Sequence, residues 1–194
     1  MNSEPTDPNW EPGCGSEVNY KFGQVRSMGN PLLFLVLALT LACIPTDASA
    51  QPRWETFEDA ACTRVEFPAD VFSTVSGQPE IGAGKRFTTA DGRAQLSIYT
   101  LPNSLAQSPA EYLKTHMKEP RSSLKYDRVA RHFFAVSTIR NNTIFYRRCN
   151  FSGRGGDTMH CIDLAYPASE KRTWDQTVTR ISRSLRPLFR NWQG

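Results

Sequence analysis

The sequence predicts an α+β domain in which about six antiparallel strands form a sheet and two helices pack against it. Two runs of alternating character flank an Asp-Gly pair at residues 91–92, a pattern typical of a β-hairpin. Four further extended runs, separated by turn residues, follow one another across residues 126–166. Helical periodicity begins at two helix-start signals, one at Ser108 and one at Pro167. Consecutive strands with two separate helices are typical of an antiparallel sheet that helices cover.

The leading strands are short and are separated by loops. Residues 65–75 form extended pieces that Pro68 interrupts, because proline has no backbone N–H group to donate to a strand ladder. A loop rich in Gly and Pro follows at residues 78–84. Residues 85–89 and 95–101 then form the two arms of the predicted hairpin.

The first helix begins at a capping box. The Ser108 hydroxyl can accept a hydrogen bond from a backbone N–H group, Pro109 suits the first helical position, and Glu111 completes the box. Pro120 is expected to end this helix, because proline cannot continue it. The predicted apolar face consists of Ala110, Leu113 and Met117.

An antiparallel meander and a second helix complete the domain. The meander is predicted over residues 126–130, 133–139, 144–151 and 159–166. Its turn at residues 140–143 contains two asparagines, which tolerate positive φ. The second helix opens at residues 167–170 and stops at Pro187. Its apolar stripe consists of Trp174, Val178, Ile181 and Leu185.

This order of elements resembles the PsbP-like fold of exported proteins. The resemblance rests on the hairpin around residues 91–92, the capped helix, the meander, the Tyr-Pro pair at residues 166–167 and a closing helix that ends in residues 181–185. It covers residues 60–187 and lies in the order of the elements. The resemblance implies an accessory or binding role, because the group shares no catalytic constellation.

The N-terminal part contains an apolar run that is typical of a signal peptide. The run spans residues 32–44, and these 13 residues are too few to cross a membrane, for which a helix needs about 20. Small residues at positions 48 and 50 precede Gln51, as signal peptidase requires. We therefore expect a signal peptide over residues 28–50, cleavage between Ala50 and Gln51, and a periplasmic or extracellular protein whose mature part has no transmembrane span.

Two further expectations concern the same region. Residues 1–27 are rich in polar residues, Pro and Gly, and we expect a non-structural extension, with the translation start at Met28 or Val25. The alternative to a mature chain that begins at Gln51 is lipidation of an exported Cys43, although Thr40 stands where a bacterial lipobox normally has Leu.

The remainder of the chain is strongly basic. Residues 51–187 are expected to form one domain, followed by a flexible tail at residues 188–194. Residues 51–194 hold 21 Lys and Arg and 14 Asp and Glu, a net charge of +7. This charge favours an anionic partner, either anionic lipid, a cell-wall polymer or an envelope protein. Nucleic acid is not expected as a partner of an exported protein.

Three arginines of the last helix are the candidate contacts for an anionic surface. They recur at a spacing of three residues and so follow one flank of the helix. The alternative is a solvated helix face whose cations lie near the negative end of the helix dipole. The three residues are Arg180, Arg183 and Arg186.

Three cysteines follow the predicted cleavage site. Cys149 and Cys161 flank a Gly-rich turn at residues 152–157, so hairpin pairing places them directly opposite each other, with Cα atoms about 4.5 Å apart. Export leads to an oxidising compartment, and we therefore expect a Cys149–Cys161 disulfide. The alternative is a disulfide between Cys62 and one of these two cysteines.

The sequence carries no signature of a catalytic or metal site. Its three histidines, His116, His132 and His160, accompany no Gly-x-Ser-x-Gly motif. On a strand, the adjacent His160 and Cys161 point to opposite faces and cannot share one metal. No catalytic residue, metal or cofactor is predicted, which favours a non-catalytic accessory or binding protein. The alternative is a small exported hydrolase, or a hydrolase inhibitor, whose site joins Cys62, a histidine and a carboxylate only after folding.

Overall fold

The structure is a computed structural model that describes residues 51–117 and 120–188. The predicted extension at residues 1–27, the signal peptide at residues 28–50 with Cys43, and the tail beyond Leu188 lie outside the described residues. Within residues 51–117 and 120–188, the helices are too short or too polar to span a membrane.

The described chain contains ten strands and two α-helices, which alternate as β1–β5, α1, β6–β9, α2 and β10. The strands are β1 (Trp54–Glu58), β2 (Thr63–Pro68), β3 (Thr74–Gly77), β4 (Ala83–Thr88), β5 (Gln95–Pro102), β6 (Tyr126–Ala130), β7 (Phe133–Arg140), β8 (Thr143–Ser152), β9 (Thr158–Pro167) and β10 (Arg186–Pro187). The helices are α1 (Pro109–His116) and α2 (Lys171–Ser184).

The strands form two antiparallel sheets. Seven strands are joined in the order β3-β4-β5-β9-β8-β7-β6, and three more in the order β1-β2-β10. The predicted α+β class is therefore confirmed, and the predicted hairpin and meander form parts of the larger sheet. The sequence pattern predicts about six strands in one sheet, and neither β1 nor β10 is among them. β10 has two residues, too few for a recognisable period.

Helix α1 begins as its sequence predicts. The Glu111 backbone N–H group donates to Ser108 Oγ at 3.3 Å, and the Ser108 backbone N–H group donates to Glu111 Oε2 at 2.8 Å. The helix ends at His116, before Pro120. Ala110 is exposed, so its predicted place on the apolar face is wrong, because this short helix turns Leu113 and its own Pro109 toward the sheet.

Helix α2 covers one face of the larger sheet together with the smaller sheet. Its predicted stripe is buried at Trp174, Val178, Ile181 and Leu185. These side chains join the larger of the two cores, which also contains Val65 of β2. The free energy of this burial is about 1.5–3 kcal/mol for each large apolar side chain. The exposed side of α2 is polar, so the helix is amphipathic, as the spacing predicts.

Helix α1 covers part of the opposite face. There, Leu113 packs with Phe134, Phe151 and Met159 in a second core. This core also contains a disulfide between Cys149 and Cys161, which face each other across β8 and β9 with Cα atoms 4.2 Å apart. The expected disulfide is thus present, whereas the alternative pairing of Cys62 is not. Cys62 lies in the turn between β1 and β2.

We expect removal of this disulfide to lower the free energy of unfolding without changing the fold. The bridge closes a short loop, with a sequence separation of 12 residues. Its loss in the C149A/C161A variant is expected to cost about 3 kcal/mol, mainly because the unfolded chain gains entropy. Urea unfolding of the variant and of the oxidised wild type measures this difference. C62S is the control and should change stability by less than about 1 kcal/mol; an equal loss in both variants would contradict the structural role of the bridge.

Candidate functional site

The exposed side of α2 borders a groove of about 600 Å³, the helix groove. The groove is lined by all three arginines that the sequence analysis selects, Arg180, Arg183 and Arg186. Two carboxylates, Glu66 and Asp175, line the same groove. The structure therefore brings the candidate residues together, but in a groove of mixed charge.

The three arginines of the helix groove differ in their partners. Arg180 Nη2 lies 3.4 Å from Glu66 Oε2, and its guanidinium lies 3.9 Å from the centre of the Trp54 ring, a cation–π contact. The side chains of Arg183 and Arg186 are exposed and make no hydrogen bond or ion pair with the described part of the chain. Charge that can act on a partner therefore lies mainly at Arg183 and Arg186.

Arg186 does not lie on the helix, in contrast to the sequence-based expectation. The helix ends at Ser184, and Leu185 is already extended, with φ −61° and ψ 118°. Arg186 precedes Pro187, and a residue before proline is pushed out of helical geometry by the proline ring. Arg186 therefore pairs with Arg64 in the smaller sheet.

A second cavity of about 500 Å³, the arginine cleft, lies on the other side of Arg186. Its lining includes Arg64 of β2, Arg148 of β8 and Arg186 of β10, together with Phe133 and Asn150. No pattern in the sequence predicts this cleft. Its arginines come from three strands of two sheets, and β10 itself is not identified.

Arg148 is half-buried, and its side chain donates hydrogen bonds to two neutral groups. Its Nε donates to Asn150 Oδ1 at 3.0 Å and its Nη1 donates to Ser182 Oγ at 3.4 Å. Its guanidinium lies 4.4 Å from the centre of the Phe133 ring. Burial lowers the pKa of Arg148, as expected for a cation that no carboxylate in the described chain stabilises.

The preceding residue, Arg147, is held quite differently. Strand alternation points it to the other face, where its Nε and Nη2 donate to Asp163 Oδ1 and Oδ2 at 2.7 and 2.6 Å. Tyr99 adds a hydrogen bond to Asp163 at 3.2 Å. Burial alone would lower the pKa of Arg147, but its hydrogen bonds to Asp163 and the negative charge of that residue raise it. Arg147 is therefore a structural residue whose charge is compensated.

Arg64 is intermediate between these two cases. Its Nε forms an ion pair with Glu58 Oε1 at 3.3 Å, across the β1–β2 ladder. The same Nε is buried and makes no hydrogen bond. The pairing of β10 with β2 sets Arg64 opposite Arg186, so two like charges flank the arginine cleft.

A buried polar chain lies between the sheets. His160 Nε2 is 2.7 Å from Ser152 Oγ, and His160 Nδ1 is 2.8 Å from Thr63 Oγ1. Thr63 also contacts Thr100. Burial lowers the pKa of His160 to about 4, so its ring is neutral at physiological pH.

This polar chain bears on the hydrolase alternative. Ser152 and His160 are only 8% and 2% exposed, and neither lines the helix groove or the arginine cleft. The histidine is oriented by Thr63, whereas a catalytic triad uses a carboxylate at that position. These buried polar groups therefore satisfy one another's hydrogen bonds and do not form a catalytic triad. Cys62 lines neither cavity, so the joint pocket that a thiol hydrolase needs is not formed by them.

The other histidines stand apart from this chain. His116 is exposed and stacks on Tyr112, with ring centres 4.1 Å apart. His132 lies between β6 and β7 and lines the arginine cleft. Across the described ranges, no three His, Cys, Asp or Glu side chains lie close enough to hold a metal ion.

Comparison with known proteins gives a fold. No family model matches the chain, and no curated protein matches its sequence. The solution structure of the cyanobacterial PsbP protein, CyanoP, from Synechocystis sp. PCC 6803 matches with a TM-score of 0.51 over 69% of this chain and 92% of that chain, at 10% identity. The chain has a PsbP-like fold. The Ran-binding protein Mog1p of Saccharomyces cerevisiae matches with a TM-score of 0.48 over 71% of this chain and 96% of that chain, also at 10% identity. The CyanoP match confirms the PsbP-like order of elements that the sequence predicts.

The buried His160 predicts a loss of stability in acid. The folded state holds His160 neutral down to a pKa of about 4, whereas the ordinary value is 6.5. The contribution of His160 to the free energy of unfolding is therefore fully present above pH 6.5. As the pH falls toward 4, the free energy of unfolding decreases by about 3 kcal/mol in total. Urea unfolding of wild type and H160Q between pH 7 and pH 4 measures this, and the stability difference between them should shrink in acid. H116Q is the control and should keep the wild-type slope; parallel curves for wild type and H160Q would disprove the role of this histidine.

Proposed function

We propose that this protein is an exported, non-catalytic accessory protein that docks on an anionic lipid surface through the exposed side of α2 and β10. The observation that carries the proposal is the charge of this segment. Residues 171–186 contain five Lys and Arg and one acidic residue, Asp175. Lys171 forms an ion pair with Asp175, and Arg180 with Glu66, which leaves Arg172, Arg183 and Arg186 for a partner.

The proposed export is supported by three features. The apolar run at residues 32–44 and the small residues before Gln51 are typical of a signal peptide. A disulfide such as Cys149–Cys161 persists in an oxidising compartment. The PsbP-like fold adds the expectation of an accessory role, which the resemblance implies without assigning a partner.

The proposed binding is electrostatic and peripheral. The exposed residues of α2 are all polar, so this side of the helix has no apolar side chain to insert among lipid tails. Each Lys or Arg near an anionic membrane contributes about 1 kcal/mol. Three available arginines therefore give weak binding that salt screens, since the Debye length is about 10 Å at 0.1 M ionic strength.

Co-sedimentation with vesicles tests this proposal. Protein purified from exporting cells should bind vesicles of phosphatidylglycerol and phosphatidylcholine at low salt and should lose this binding at high salt. It should not bind vesicles of pure phosphatidylcholine. The R183Q/R186Q variant removes two of the available charges and should reduce the partition coefficient roughly thirtyfold, at about 1 kcal/mol for each arginine.

The matched control is K114Q/K125Q, which removes two exposed lysines that lie outside α2 and β10. This variant should retain most of the wild-type binding. An equal loss in both variants would show that net charge alone, and not this surface, attracts the protein. Wild-type protein that does not bind the anionic vesicles at low salt would refute lipid docking, and a cell-wall polymer or an envelope protein would then be the partner to test.

A further inference from the structure

The arginine cleft has an unusual balance of charge. Arg64, Arg148 and Arg186 line it, and none of the described residues that line it is a carboxylate. Glu58 contacts Arg64 from outside the cleft, whereas Arg148 uses two of its N–H groups on neutral acceptors. Arginine has five N–H donors, so each of these side chains keeps donors for a ligand.

A fourth arginine adds to the positive charge at the same place. The Arg128 guanidinium lies 5.4 Å from the centre of the Phe133 ring, and the Arg148 guanidinium lies 4.4 Å from the same centre. Two cations beside one ring repel each other, although water weakens this repulsion because Arg128 is exposed. An anion bound next to Arg148 would offset the repulsion and would also favour the charged form of Arg148.

Apart from His132 and Asn150, the other residues that line the cleft are apolar. Phe133, Phe151, Pro187 and Leu188 line it beside the arginines. A volume of about 500 Å³ lies within the range that binds small molecules, in which a few placed polar groups fix the orientation of an apolar ligand. Asn150 has a fixed place there, because its Nδ2 donates to the Leu185 carbonyl oxygen at 2.7 Å and its Oδ1 accepts from Arg148.

We infer that the arginine cleft binds an oxyanion, a carboxylate or a phosphate group, that is carried on an aromatic or other apolar body. The planar guanidinium fork matches both oxyanions through paired N–H···O hydrogen bonds. The oxyanion lies against Arg148 and Arg186, and the apolar body lies against Phe133 and Leu188. This site shares Arg186 with the lipid-docking surface proposed above, but it differs from that surface in Arg64 and Arg148, which belong to neither α2 nor β10.

Titration with phenyl phosphate, followed by amide ¹H–¹⁵N spectra, tests the inference. Saturable shifts are expected at the amides of Phe133, Arg148 and Asn150. Phenylacetate tests the carboxylate form of the same chemistry, and inorganic phosphate should bind more weakly because it lacks the apolar body. R148Q removes one guanidinium fork and should weaken phenyl phosphate about tenfold or more.

Matched variants separate the cleft from net charge and from folding. R172Q removes an exposed arginine of α2 that does not line the cleft, and it should bind phenyl phosphate like wild type. R148K keeps the charge but loses the fork and should fall between wild type and R148Q. If R148Q does not fold, R186Q decides the matter, because that side chain is exposed and its loss leaves both cores intact.

Three outcomes would overturn the inference. They are an absence of saturable shifts for both phenyl phosphate and phenylacetate, equal affinity in wild type, R148Q and R186Q, and shifts that map to the outer side of α2. R183Q should retain phenyl phosphate binding even if it loses vesicle binding. The two experiments can therefore refute ligand binding at the cleft and lipid docking independently of each other.

Discussion

The pairing of β8 with β9 is the constraint on which the rest of the structure depends. These strands lie at the centre of the seven-stranded sheet, and Cys149 faces Cys161 across them. A shift of one residue would move every side chain of β8 to the other face. The observed register points Arg147 to the face where Asp163 compensates its charge, and Arg148 to the face where the smaller sheet packs. Of these two neighbouring arginines, Arg147 therefore has a structural role, and Arg148 has the binding role proposed above.

The arrangement of the smaller sheet follows from the same face. Helix α2 buries its stripe against β2 and the larger sheet, and the chain leaves the helix directly into β10. Because β10 then pairs with β2, Arg186 comes to lie opposite Arg64 and above the end of β8 that carries Arg148. The arginine cleft is thus a consequence of how the last helix ends.

Local signals in the sequence are sufficient for much of the fold. The hairpin around residues 91–92, the capping box at Ser108 and the stripe of α2 all depend on residues within one or two turns of each other. The Cys149–Cys161 disulfide is also local, since one hairpin turn determines which residues face each other.

Features that need distant residues are not predicted. The arginine cleft joins side chains from β2, β8 and β10, and the sequence contains no spacing that relates them. Arg186 is assigned to the helix because its spacing fits, although Pro187 favours an extended backbone one residue earlier. The contact between Ser152, His160 and Thr63 likewise forms only when β2 packs against β9. In each case tertiary packing, and not local preference, decides the result.

The most direct test of this structure is the register of β8 and β9, measured by nuclear Overhauser contacts in the oxidised protein. The short Cα distance of 4.2 Å places Cys149 and Cys161 in a non-hydrogen-bonded pair, where the two Hα atoms approach closely. Contacts are expected between the Hα atoms of Cys149 and Cys161 and between those of Arg147 and Asp163, which form the next non-hydrogen-bonded pair along the ladder. Hα contacts from Arg148 to Cys161 or to Asp163 would show a slipped register, and both the paired role of Arg147 and the cleft at Arg148 would then be wrong.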